Sequence, residues 1–273
     1  MPIGGRIEGG GGGGGGSDPW TVEYEIDFTT QGALGFADPG GSATVIIDTV
    51  TWTAVNRTTL TDVDVFDFDP GTGLRIHAKA GGGKWFQGTQ TQPYFWAELD
   101  DMMADLAIDD TLCLQLEMTT SADVSKEWHR YGLGLWKDDA PGGARNFIVV
   151  SRFFNGVLPC DASIRDGVQD SDPDASFPQP DFFEIVSYPC GSQVMSCGAL
   201  SGGSFPAPLT ATDYRSYSAL KERGPGSVGA IGIPTFDIPF DKAAFVITCQ
   251  VDGGQGVPLN ATVKKMRVLR MNR

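Results

Sequence analysis

The residues with the most chemistry to offer are aromatic. Of six tryptophans in the chain, four (Trp85, Trp96, Trp128 and Trp136) fall between positions 85 and 136 together with Phe86, Tyr94 and Tyr131. Flat rings of this kind can hold a sugar by stacking against its C–H face, given hydrogen-bonding side chains alongside. The competing reading is a packed core, because Tyr131, Leu133 and Leu135 alternate as interior strand residues do.

The charged and nucleophilic groups offer less. Asp170, Asp172 and Asp174 are spaced like the first ligands of a calcium loop, with Asp181 near the closing position. Ala175 stands where such a loop needs glycine, and Pro173, Pro178 and Pro180 constrain the backbone, so the segment reads as a solvated acidic loop. Asp62, Asp64, Asp67 and Asp69 could flank a glycosidic bond, but their strand alternation describes an acidic outer face. His77 lies on a polar strand face and His129 in a loop, and neither has a serine or cysteine in a nucleophile-elbow context. Cys160, Cys190 and Cys197 lack the tight pairing of zinc sites. Gly81-Gly82-Gly83-Lys84 lacks the leading glycine and trailing Ser/Thr of a phosphate loop. The expectation is a protein that is not an enzyme and carries no metal or other cofactor.

The elements that must position these residues are mostly strands. Val22, Tyr24, Ile26 and Phe28 alternate with Glu23, Glu25 and Asp27. The same period of two recurs around Val50–Ala54, Leu74–Ala78, Thr111–Met118, and at 131–136, 146–154, 182–188, 228–233, 243–251 and 261–270. Some ten strands with turn signals between them predict an all-β, antiparallel β-sandwich of jelly-roll type. Thirty-seven glycines and 17 prolines argue in the same direction, since both disfavour helix interiors. The phase slip between Val63/Val65 and Phe66/Phe68 predicts a bulge or bend. One short helix is predicted after Pro93, with Phe95, Trp96, Leu99, Met102, Met103 and Leu106 on its apolar side, Glu98, Asp100, Asp101 and Asp105 opposite, and an acidic N-terminal half that suits the helix dipole.

Two regions depart from this pattern. Residues 1–17 form a glycine-rich arm in which Gly9 to Gly16 are eight consecutive glycines. Glycine lets a backbone lie against a neighbour with no side chain between, so Ile3, Arg6, Ile7, Gly9, Gly12 and Gly16 are the residues expected to contact a partner. Residues 18–273 are read as the β-sandwich domain. Within it, 155–215 reads as an irregular insertion, with seven prolines and three cysteines; stretches of that length without period are commonly functional or packed on a partner.

Twenty basic against 34 acidic residues give a net charge of −14, the opposite of a nucleic-acid footprint. Five of the 20 bases, Lys264, Lys265, Arg267, Arg270 and Arg273, sit in the last ten positions. They suit docking on an acidic partner, on this chain's own acidic surface, or guarding an edge strand. There is no secretory signal pattern at the N-terminus and no apolar run long enough for a membrane span. Synthesis in a reducing cytoplasm with free thiols at the five cysteines is expected.

The opening stretch Pro19-Trp20-Thr21-Val22-Glu23-Tyr24-Glu25-Ile26-Asp27-Phe28 and the closing stretch Asn260 to Leu269 resemble the first and last strands of concanavalin-like or laminin-G-like jelly rolls. That resemblance implies termini lying side by side in the sandwich. The layout of a glycine-rich arm before a β domain is similar to structural proteins of tailed bacteriophages, such as head-decoration, fibre and tail proteins. It implies a virion component synthesised in the host cytoplasm, with other virion proteins and copies of itself as partners. A lectin-like module holding a host-surface glycan on Trp85, Trp96, Trp128 or Trp136 is the alternative. A glycan-cleaving enzyme on the same fold would need an acid pair that the sequence does not present.

Overall fold

The computed structural model describes residues 19–32, 42–55, 66–78, 94–107, 110–120, 129–137, 147–153, 161–164, 168–171, 181–188, 192–198, 200, 203–208, 228–233, 243–251 and 259–272. In chain order the strands are β1 (Trp20–Asp27), β2 (Ser42–Ile47), β3 (Val50–Val55), β4 (Phe66–Asp69), β5 (Gly73–Ala78), β6 (Tyr94–Glu98), β7 (Leu112–Thr120) and β8 (His129–Lys137). They continue as β9 (Phe147–Phe153), β10 (Asp161–Ile164), β11 (Val168–Ser171), β12 (Phe182–Tyr188), β13 (Ser192–Gly198), β14 (Val228–Ile233), β15 (Ala243–Val251) and β16 (Leu259–Met271). A 3-10 turn at Phe28–Thr30 and one helix, α1 (Leu99–Met102), complete the described elements.

The strands form two eight-stranded antiparallel sheets. The first runs β14-β13-β12-β7-β16-β5-β4, with β1 also paired to β16; the second runs β11-β10-β9-β8-β15-β6-β3-β2. Their inner faces interdigitate over one core, as in a jelly-roll sandwich. Leu112, Leu114, Leu116 and Met118 of β7 enter it from the first sheet, and Trp52, Phe95, Tyr131, Leu133 and Leu135 from the second. Phe95 stacks on Trp52 at 4.8 Å between ring centroids. Phe28, Phe66 and Phe68 surround Phe95 at 6.0 to 6.2 Å. Gly73 adopts φ +119, and a Cβ there would strike the Val263 carbonyl of the neighbouring strand, so that close approach requires glycine.

β1 and β16 pair side by side from Trp20↔Met271 to Asp27↔Lys265, as the jelly-roll resemblance implies. Two bulges modify the alternation read from the sequence. One, between Val22 and Tyr24, turns Val22 away from the core and leaves it 46% exposed while Tyr24, Ile26 and Phe28 stay buried. The other, between Val263 and Lys265, lets Val263 and Met266 both face inward despite their odd spacing, because one extra residue flips the phase.

Four expectations are corrected. The helix predicted from Phe95 begins only at Leu99; Tyr94–Glu98 is strand, paired to β15 and β3. Phe95 and Ala97 are both fully buried, so a period of two ran unseen beneath apparent helical spacing. The 155–215 stretch contains, besides the expected strand β12, three further strands, β10, β11 and β13, and these extend both sheets. The basic C-terminal strand is no edge: β16 lies between β7 on one side and β1 and β5 on the other. Its cations meet the chain's own acids, Lys264 with Glu117 at 3.5 Å, Lys265 with Asp27 at 3.9 Å and Arg270 with Glu23 at 3.4 Å. His129, read as a loop residue, opens β8. Val63 and Val65 of the expected bend lie outside the described residues.

Candidate functional site

Each sheet has an outer face, and the two differ in kind. On the second sheet, alternation along β6 sends Phe95 and Ala97 into the core and leaves Trp96 and Glu98 on the outside, both half-buried. Trp96 is level with Thr53 on β3, and Thr53 is level with Thr44 on β2. Thr44 and Thr51 are exposed, as is Ile46 at 71%. The result is an indole flanked by hydroxyls on one side and a carboxyl two residues along its own strand. The Trp96 Nε1 is buried and has no hydrogen-bond partner among the described residues. Position 136 occupies the same side of the sheet, since Trp136 pairs with Ala244, which pairs with Glu98. Positions 98 and 136 are thus two strands, or about 10 Å, apart across the sheet, with position 96 two residues further along β6.

Glu98 precedes α1, where Asp100 and Asp101 follow it. Desolvation raises its pKa first, and the charges of Asp101 and Asp100 raise it further. A carboxyl whose folded pKa lies above its unfolded one holds its proton better in the folded state, so stability falls as pH rises through its titration. Glu98→Gln should therefore raise Tm at pH 7, with the gain disappearing below the ordinary glutamate range, where the parent is protonated too. Thermal melts of both proteins across that range check the sign.

Part of the outer face of the first sheet is covered. Register sets Glu184 of β12 level with Gln115 of β7, and Gln115 level with Arg267 of β16. Glu184 and Gln115 are fully buried. Gln115 Nε2 donates to Glu184 Oε2, Cys113 Sγ approaches the same oxygen at 3.5 Å, and Arg267 Nε donates to Gln115 Oε1 at 2.6 Å. The cover is residues 203–208. The Pro206 carbonyl accepts from Gln115 Nε2 at 3.0 Å and from an Arg267 guanidinium nitrogen at 3.1 Å. The Phe205 ring lies 5.0 Å from the Arg267 guanidinium carbon and 6.1 Å from the Phe182 ring. Asp181 Oδ1 accepts from Leu200 N at 2.7 Å and pins the approach to this strap.

Of the residues singled out by sequence, Trp96 and Trp136 come to one face, whereas Trp85 and Trp128 lie outside the described residues. So do Ile3, Arg6, Ile7, Gly9, Gly12 and Gly16 of the arm, and Asp172 and Asp174. Asp170 lies in β11, paired with Ala162. No group of three potential metal-ligating side chains occurs among the described residues, and none of their helices is long and apolar enough to cross a membrane. Glu184 and Gln115 were not anticipated, and Arg267 was singled out only as one of the basic C-terminal residues. The one sequence signal for them is a lone carboxylate inside the apolar strand Phe182-Phe183-Glu184-Ile185-Val186.

No family model matches the chain, and no curated protein matches it. Solved structures similar to it include the endo-1,3-beta-glucanase from Streptomyces sioyaensis, with TM-score 0.48, 9% identity, and coverage of 96% of this chain and 100% of that one. The exoplasmic/lumenal domain of VIP36 in its Ca2+/Man2-bound form is similar at TM-score 0.44 and 12% identity, covering 92% of this chain and 89% of that one. The CBM2 module of the evolved Dit of Lactobacillus casei BL23 phage J-1 gives TM-score 0.44 and 10% identity, covering 93% of this chain and 97% of that one. At these identities the likeness is one of fold, an antiparallel β-sandwich. The expectation that the chain is not an enzyme is corrected by the same finding. A glucanase is among the proteins of similar fold, so the absence of a catalytic motif from the sequence does not exclude catalysis.

Proposed function

We propose that this chain binds saccharide on the outer face of its second sheet, with Trp96 as the stacking platform. The observation that carries the reading is the grouping of a half-buried indole with the hydroxyls of Thr44, Thr51 and Thr53 and the carboxyl of Glu98 on one face. A sugar presents an apolar C–H face and a ring of hydroxyls, and a surface that pairs an aromatic face with donors and acceptors meets both. The test is a glycan array on the full chain, followed by titration of Trp96→Ala against whichever glycan is retained. Loss of the stacking ring should weaken binding about tenfold, the equivalent of ~1.4 kcal/mol. An array with no retained glycan, or unchanged affinity in Trp96→Ala, overturns the reading.

A second reading is favoured by the eight consecutive glycines. In it the chain is a component of a virus particle, held by residues 1–17 and displaying residues 18–273. Its partners are other virion proteins and further copies of itself, and many engaged arms supply avidity. Deleting residues 2–16 should abolish incorporation into particles while leaving glycan retention intact. Undiminished incorporation removes this second reading and leaves the first untouched.

A further inference from the structure

We propose that the outer face of the first sheet carries another ligand site, for a polyhydroxylated ligand of saccharide type, which residues 203–208 of the chain itself close. The strands provide their own control for this reading. One step along from Glu184–Gln115–Arg267, the same three strands carry Val186, Cys113 and Leu269, which with Trp20 form an ordinary apolar cluster. That row is packed from apolar side chains, and its Cys113 thiol reaches across to the Glu184 carboxylate. A buried carboxylate held by an amide and, through it, a guanidinium is no better for stability than apolar residues of similar size. Its use lies in recognition of hydrogen-bonding groups.

The strap touches this row in a manner a ligand could reproduce. It contributes no charge. One main-chain oxygen, that of Pro206, receives donors from both Gln115 and Arg267, which is the place a sugar oxygen would take. Glu184, an acceptor when ionised, lies beside the same amide and would accept from a neighbouring hydroxyl. Phe205 lies against Phe182 and Arg267, so its departure would uncover an aromatic ring and a guanidinium together. The strap is superficial as far as Ala207, and the buried Pro208 anchors its far end. Gly203, Ser204 and Ala207 are exposed, with Phe205 and Pro206 inserted between them. Gly203, at φ +72, supplies a backbone position able to absorb the swing. The strap therefore competes with ligand for the same donors, and its closed state lowers apparent affinity by the fraction of time the site is shut.

The experiment is isothermal titration of the full chain with glucose, galactose and mannose trisaccharides, for the parent and for Phe205→Ala, Phe205→Ala/Gln115→Ala and Phe205→Ala/Trp96→Ala. Weakening the strap should tighten binding of at least one trisaccharide about tenfold. The gain should vanish when Gln115 is also removed and persist when Trp96 is, which separates this face from the second sheet. No gain in Phe205→Ala for any of the sugars overturns the proposal, as does a gain that survives loss of Gln115. Should Phe205→Ala fail to fold, the parent supplies an independent readout by amide exchange at Phe205 and Ala207. Faster exchange at millimolar trisaccharide supports a strap that lifts, and unchanged exchange shows a permanent cover.

Discussion

Phe95→Ala should destabilise the protein by about 4 kcal/mol, the middle of the range for removing a buried phenylalanine. Phe95 is fully buried and is in contact with the rings of Trp52, Phe28, Phe66 and Phe68. Those rings are contributed by strands of both sheets and by the 3-10 turn after β1, so no single element can move inward to fill the space. A void without partner atoms forfeits the dispersion contacts of its whole lining. Urea unfolding should show a lower midpoint with an unchanged slope, since the surface exposed on unfolding is nearly the same. A loss below about 1 kcal/mol would mean that Phe95 does not occupy the centre of the core, and would put the register of β6 in question. The consequence for function is direct, because the burial of Phe95 sends Trp96 to the outer face.

The same strand shows what was legible in the sequence and what was not. A strand with uninterrupted alternation, such as β5, could be read residue by residue, whereas on β7 alternation placed Leu112, Leu114, Leu116 and Met118 inward but gave no sign that Cys113 and Gln115 are buried on the other face. β6 could not be read in this way. Its apolar residues Phe95, Trp96, Leu99, Met102 and Met103 satisfy helical spacing as well as alternation, and pairing with β15 and β3 decides between them. Short apolar runs carry this ambiguity intrinsically. Val22 was misplaced for a related reason, since the bulge before Tyr24 depends on the partner strand β16 and leaves no mark on local spacing. The polar row under the strap was out of reach altogether. Glu184, Gln115, Arg267 and Pro206 are separated by up to 152 residues in sequence, and only sheet order makes them neighbours. Trp96 could be named as a platform candidate by its type alone, and its face could be assigned only once β6 was seen to be a strand.

Arg270→Ala should destabilise by about 3 kcal/mol, far more than loss of an ordinary surface arginine. The Arg270 side chain is 18% exposed and its Nε lies 3.7 Å from Asp110 Oδ2, whose side chain is wholly buried. The same nitrogen lies 3.4 Å from Glu23 on β1. The guanidinium also donates to the Ala104 carbonyl at 2.5 Å, while Asp110 Oδ2 accepts from Ala107 N at 2.9 Å. One side chain thus ties the connection between α1 and β7 to the paired terminal strands. Removing it takes the cation from a carboxylate with no access to water, and that desolvated charge, more than the lost contacts, sets the magnitude. Pairing Arg270→Ala with Asp110→Asn should therefore recover a substantial part of the loss, because the neutral amide has no charge left to compensate. A double-mutant cycle by chemical denaturation measures this. If the two single losses simply add, the coupling argument fails and the cationic C-terminal strand returns to the status of a solvated surface. If they couple, the basic run that looked from sequence like a docking patch is internal mortar, and recognition of partners must be sought on the faces of the sheets.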